Sequence, residues 1–136
     1  MKSRPVVLGI MAAAIFLLTF HAPAASMDDP GFTIERMVMC AGIVDREPVA
    51  IADTFAADTE KVFCFLEAGN IDADTMVSFV WYFADREMAR VSLPLEKGKR
   101  WRTYASKKIA GLKGDWKVEL QDSSGIILHT VSFQVQ

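Results

Sequence analysis

The residues best suited to chemistry in this chain are cationic and aromatic. Arg100 and Arg102 flank Trp101, and Lys107-Lys108 follow shortly after. Guanidinium forks suit carboxylate, phosphate or sulfate groups. These four side chains are the candidate contacts for an anion or an anionic partner. The alternative is internal pairing, with Glu47 or Asp115 as partners for the arginines. Trp81, Tyr82 and Tyr104 are candidate aromatic contacts, because rings on an exposed β-face stack against sugars. The alternative is that Trp116 and one of Trp81 or Tyr82 are core, since buried Trp commonly fills a sandwich interior.

Other constellations are weaker. Asp72 with Asp74, and Asp45 with Glu47, are paired carboxylates of the kind that hydrolases use. Both pairs fall at turns, where such side chains bond their own backbone. Asp72-Ala73-Asp74 lacks the glycine spacing and further oxygen ligands of a calcium loop. His129 lies between Leu128 and Thr130 on a predicted strand, with nothing to mark it as a catalytic base. No catalytic residue, metal ligand or cofactor is implied. Cys40 and Cys64 are 24 residues apart, far from a C-x-x-C redox spacing. In an exported chain such a pair is expected to form one structural disulfide, with two buried thiols as the alternative.

The case for export lies at the N-terminus. Lys2 and Arg4 precede the uncharged run Val6 to Phe20, and Ala22-Pro23-Ala24 supplies small residues at A-x-A spacing. This is the layout of a secretory signal peptide, with cleavage expected after Ala24. A membrane span needs roughly 20 apolar residues, whereas this run has 15. Retention as an anchor is the alternative. The expected location is periplasmic or secreted. The mature chain would be residues 25–136, long enough for one domain with one core.

Without Lys2 and Arg4, 13 basic residues face 17 acidic ones. The charge is segregated. Residues 25–75 carry 11 acids and three bases, while residues 97–117 carry eight bases and one acid. A basic segment on an acidic chain can meet an anionic surface. Export and net negative charge argue against nucleic acid.

The elements that must position these groups read as strands. Residues 25–32 form a short flexible lead. Ile34 to Val44 is a first strand, and Pro48 to Phe55 a second extended piece. Lys61 to Ala68 is apolar on both faces, as a central strand would be. Met76 to Phe83 is a dense run of β-branched and aromatic residues. In Met88 to Leu95, Ala89, Val91 and Leu93 share a face, and Pro94 points to a sheet edge or strand end. Alternation from Arg100 to Ala105 places both arginines and Tyr104 opposite Trp101. Ser106 to Leu112 fits a helical turn as well as a strand. Asp115 to Gln121 and Ile126 to Val135 alternate cleanly around a hairpin turn at Asp122 to Gly125. About seven strands at this spacing predict an all-β, immunoglobulin-like antiparallel sandwich over residues 33–136.

The ordered set Arg46-Glu47-Pro48-Val49, Phe55, Val62-Phe63-Cys64-Phe65, Trp81-Tyr82, Trp101 to Lys107, Gly114 to Val118, Gly125, Leu128, Phe133 and Val135 resembles the bacterial domain of unknown function 2914 family. The resemblance covers most of residues 40–136. It implies a small β-sandwich, alone after a signal peptide or joined to other modules, and no established activity. Relatives carry a histidine two positions before the equivalent of Trp81, where this chain has Phe79. The functional expectation is a non-enzymatic binding module of the cell envelope, for an envelope protein or an anionic envelope polymer. The alternatives are a carbohydrate-binding accessory domain, or a structural periplasmic protein stabilised by a Cys40–Cys64 bond.

Overall fold

The computed structural model describes Lys2, Ser3 and residues 29–136. The signal segment, apart from Lys2 and Ser3, and residues 25–28 of the lead lie outside the described residues. Nine strands follow: β1 (Thr33–Val44), β2 (Glu47–Ile51), β3 (Thr54–Phe55), β4 (Lys61–Ile71), β5 (Thr75–Phe83), β6 (Arg86–Leu95), β7 (Gly98–Lys108), β8 (Gly114–Gln121) and β9 (Ile127–Val135). They form a four-stranded sheet of order β2-β1-β4-β7 and a five-stranded sheet of order β3-β9-β8-β5-β6. Every pairing is antiparallel except β3 with β9. No described helix is long and apolar enough to cross a membrane.

The predicted sandwich is therefore the observed fold, with the second extended piece split into two short strands. β4 is central, between β1 and β7. Its residues Val62, Cys64, Phe65, Leu66 and Ala68 are buried on both faces. β6 is the edge that Pro94 required. The ambiguous stretch after Ala105 stays extended to Lys108, then makes one turn in which the Leu112 N–H donates to the Ile109 carbonyl at 2.9 Å. Ile109 is fully buried there, and burying it against the sandwich decides between two local conformations that the sequence serves equally.

Between the sheets, Phe133 is the hub of an aromatic core. Trp116 stacks on it at 5.7 Å, while Trp81 and Phe55 meet it edge-on at 6.1 and 5.8 Å. Offset and edge-on rings use the quadrupole of the π-system as well as burial. Trp116 Nε1 donates to the Leu112 carbonyl at 3.0 Å, whereas Trp81 Nε1 is buried with no partner. Phe79 also points into this core.

Local turn chemistry sets the register. Asp45 and Arg46 both have positive φ (51° and 64°), as do Ala84 and Asp85 (46° and 67°). Two such residues make the tight turn whose twist matches flanking strands. At the β8–β9 turn, Asp122 Oδ1 accepts from the Ser124 and Ile126 N–H groups at 2.8 and 2.9 Å, and Gly125 takes φ 84°.

Two expectations are corrected. Cys40 and Cys64 form no disulfide; both are free and buried. In the β1–β4 ladder Met39 lies opposite Cys64 and Cys40 opposite Phe63. The cysteines are one residue out of step, so their side chains leave opposite faces of the sheet and their Cβ atoms cannot approach as a disulfide needs. Cys64 joins the core. Cys40 lies on the outer face, near the backbone of Gly42 and Val49. Burial raises the pKa of both thiols, which keeps them protonated and unreactive. The second correction concerns the lead. Phe32 is buried in the core, and the Asp72 N–H donates to the Gly31 carbonyl at 2.9 Å. An aromatic that can reach the core gains more from burial than it loses in ordering the chain.

Candidate functional site

The arginines converge on the outer face of the four-stranded sheet. Alternation along β7 places Arg100, Arg102 and Tyr104 there. The ladders set Glu67 opposite both Arg36 and Arg102, and Phe65 opposite Tyr104. Phe65 is almost fully buried although it leaves the core side. The guanidinium of Arg36 lies over its ring at 5.0 Å, and Phe63 meets Tyr104 edge-on at 5.9 Å.

A second contribution comes from the β1–β2 hairpin. Glu47 pairs in register with Val44, eight residues along β1 from Arg36, or about 26 Å if the strand were straight. Yet Glu47 Oε2 accepts from Arg36 Nη2 at 2.9 Å, Glu47 Oε1 accepts from Arg102 Nη1 at 2.5 Å, and Arg100 Nη2 lies 3.7 Å away. The hairpin therefore curls back over the sheet. Gly42 opposes Val49 in this bend, and a Cβ at 42 would come within 3.2 Å of Val49 Cγ2. The bend also covers Cys40, which explains why a residue of the outer face is sealed from water.

Glu67 is the other anchor. It accepts from Arg36 Nη2 at 2.8 Å and pairs with Arg100 Nε at 3.0 Å. Hydrogen bonds from arginine, those of Arg36 foremost, lower the pKa of both Glu47 and Glu67. The pairing with Glu67 and then Glu47 raises that of Arg36. Both carboxylates stay ionised at neutral pH. Arg46, at the hairpin tip, makes no ion pair among the described residues. It lines a groove of about 300 Å³ with Phe65, Arg100, Trp101, Arg102, Thr103 and Tyr104. Three guanidiniums thus hold two carboxylates, and Arg46 adds unpaired positive charge to a groove with a half-exposed tyrosine.

The other candidate residues are dispersed. Lys107 has the parity of Trp101 and Ala105, and its ammonium donates to the Lys108 carbonyl at 3.0 Å. Lys108 shares the arginine face but lies six residues beyond Arg102, about 20 Å along the strand. Neither joins the arginine cluster. Trp81 is fully buried; its parity with Val77 and Phe79 points it into the core, so it is no surface contact. Tyr82 lies on the outer face of the opposite sheet, with Lys117 Nζ 5.0 Å from its ring, and lines a groove of about 830 Å³. Tyr82 and Tyr104 therefore do not make one platform. Asp115 accepts from Gln134 rather than from an arginine. Asp74 caps the Lys97 N–H at 2.8 Å, and no cluster that could hold a metal ion occurs among the described residues.

Sequence reasoning named Glu47 as a partner for the arginines but missed Arg36, Arg46 and Glu67. No local pattern joins those residues to Arg102; only the β1–β4–β7 register and the curl of the hairpin do.

The strands from β5 to β9, including Arg100 and Arg102, fall in a segment with known relatives. Residues 74–135 match the family of proteins of unknown function DUF2914. The DUF2914 match takes in Trp81, Trp101 to Lys107, Trp116 and Phe133, whereas Arg36, Arg46, Glu47 and Glu67 precede it. Four of the six charged residues of the site are thus outside the DUF2914 segment. No curated protein matches the chain. Among solved structures, an immunoglobulin-like protein from Pseudomonas aeruginosa superposes with a TM-score of 0.53 at 11% identity, over 77% of this chain and 96% of that one. That likeness establishes the immunoglobulin-like fold. A β-glucosidase from Listeria innocua (TM-score 0.49, 8% identity) is covered over 16% of its length by 77% of this chain. A β-D-glucoside glucohydrolase from Trichoderma reesei (TM-score 0.49, 11% identity) is covered over 19% of its length by 77% of this chain.

Proposed function

We propose that this protein is a non-enzymatic interaction module of the bacterial cell envelope that docks a carboxylate-bearing partner on the outer face of its four-stranded sheet. The observation that carries this reading is the surplus of guanidinium around Glu47 and Glu67, beside a groove edged by Tyr104. Arginine and tyrosine are the residues that dominate binding energy at protein interfaces. The signal-peptide layout of residues 1–24 supports a place in the periplasm or outside the cell. Its partner is an envelope protein or an anionic envelope polymer.

The test is a titration with polyglutamate and, as a control, polylysine. Polyglutamate should bind saturably and weaken as salt is raised, because charges at an exposed groove are screened. Arg100→Gln and Arg46→Gln change exposed side chains and should each weaken binding several-fold. Equal binding of both polymers, or none of either, would sink the reading. The groove beside Tyr82 favours a second reading, capture of a neutral glycan. Saturable binding of envelope oligosaccharides, lost in Tyr82→Ala and indifferent to Arg100→Gln, would select it.

A further inference from the structure

A sandwich of two open sheets has four edges, and here three are blunted. β2 carries Pro48 and has Ala50 at φ 53°. β3 is two residues long. β6 carries Pro94, and its pairing with β5 is interrupted by an irregularity after Trp81. Proline, brevity and irregularity are the usual means of preventing edge pairing. β7 has none of them. It is 11 residues long, and from Lys99 to Lys108 it contains no proline and no left-handed residue. One side of it pairs with β4 along its whole length, from Gly98 opposite Ile71 to Lys108 opposite Lys61. Its other side has no ladder partner among the described residues.

The side chains of this edge select what can pair with it. Residues 97–108 contain six bases and no acid. Lys97, Lys99, Lys107 and Lys108 are in no ion pair among the described residues. Two copies joined through β7 would set these charges against one another, so a second copy of this chain is disfavoured. A strand of opposite sign is favoured. Its side chains on the outer face would stand about 5 Å from their cross-strand neighbours, within reach of Arg100 and Arg102. Those on the other face would meet Trp101 and Thr103, both half-buried.

We infer that β7 is a docking edge for an extended acidic segment of a partner protein, which adds to the four-stranded sheet as a fifth strand. This rests on the carboxylate-docking reading above and names the partner's conformation. Main-chain hydrogen bonds supply affinity in such an addition, and alternate side chains supply specificity. The segment should alternate acidic with apolar residues.

The experiment uses the full chain and a peptide of alternating Glu and Val long enough to span β7. Two derivatives are N-methylated, one at every Glu amide and one at every Val amide. A strand turns successive N–H groups to opposite sides, so only one derivative loses the bonds to β7. That one should bind about tenfold more weakly or worse, for the loss of several backbone hydrogen bonds, while the other matches the parent. Amide exchange in alternate residues of β7 should slow on binding. Both derivatives binding like the parent, with no slowing in β7, would overturn strand addition. So would polyacrylate, which has no peptide backbone, binding as tightly as the peptide. If the parent peptide fails to bind, or Arg100→Gln leaves its affinity unchanged, the underlying carboxylate-docking reading falls instead.

Discussion

Glu47 and Glu67 tie four strands together through arginines, and their titration should be visible in stability. Both have folded-state pKa values below the ordinary carboxylate value of about 4.3. Their contribution is therefore complete above the unfolded pKa and is lost as pH falls through the lowered folded value. Glu67→Gln should lower stability at neutral pH and flatten its fall on the acid side, read as urea midpoints from pH 7 to pH 3. The two core tryptophans give a second contrast. Trp116→Phe removes a satisfied N–H and part of the ring that stacks on Phe133, and should cost about 2 kcal/mol. Trp81→Phe also deletes an unpaired buried donor, and should cost about 1 kcal/mol less. At this scale the sequence disclosed parity well. It put Arg100, Arg102 and Tyr104 on one face against Trp101. It could not disclose which of Trp81 and Tyr82 faced inward, because Met76 to Phe83 is apolar at almost every position. The disulfide expectation failed for a related reason: a one-residue offset between two strands decides whether thiols meet, and spacing along the chain does not encode it.

Elements were legible where patterning and turn chemistry agreed. β8, the Asp122 turn and β9 were read almost to their ends, because alternation and an Asx turn point the same way. Asp122→Ala removes two side-chain caps and should cost about 1 kcal/mol, measured by thermal melting. The curl of the β1–β2 hairpin was not legible, since nothing in residues 41–50 states where Glu47 will land. β7 illustrates how far charge can govern an element. Replacing Lys97, Lys99, Lys107 and Lys108 by Thr would leave a long, regular margin whose remaining cations, Arg100 and Arg102, are already paired with Glu47 and Glu67, and the variant should self-associate in sedimentation runs where the parent stays monodisperse.

For the whole molecule, the absence of a cross-link makes the core the principal source of stability. Reductant should leave the melting temperature unchanged, and a thiol reagent should label Cys40 and Cys64 only after denaturation, both being free and buried. The fold class was readable because about a hundred residues with regular turn signals and apolar alternation have few other ways to bury their faces. The site was only half readable, because it joins residues from four strands whose separations in sequence reach 66 residues, as between Arg36 and Arg102.

The place of β9 has a consequence for how the chain is made. β9 lies between β3 and β8, with the Gln134 N–H donating to the Asp53 carbonyl and the Gln136 N–H to that of Phe55. It also brings Phe133, the hub of the aromatic core. A nascent chain on the ribosome will have synthesised the other eight described strands while the five-stranded sheet still lacks the strand that joins β3 to β8. That sheet can close only once β9 has been made, in a long-range step, and until then the unfilled place between β3 and β8 is open to chaperones, proteases or a translocation machine.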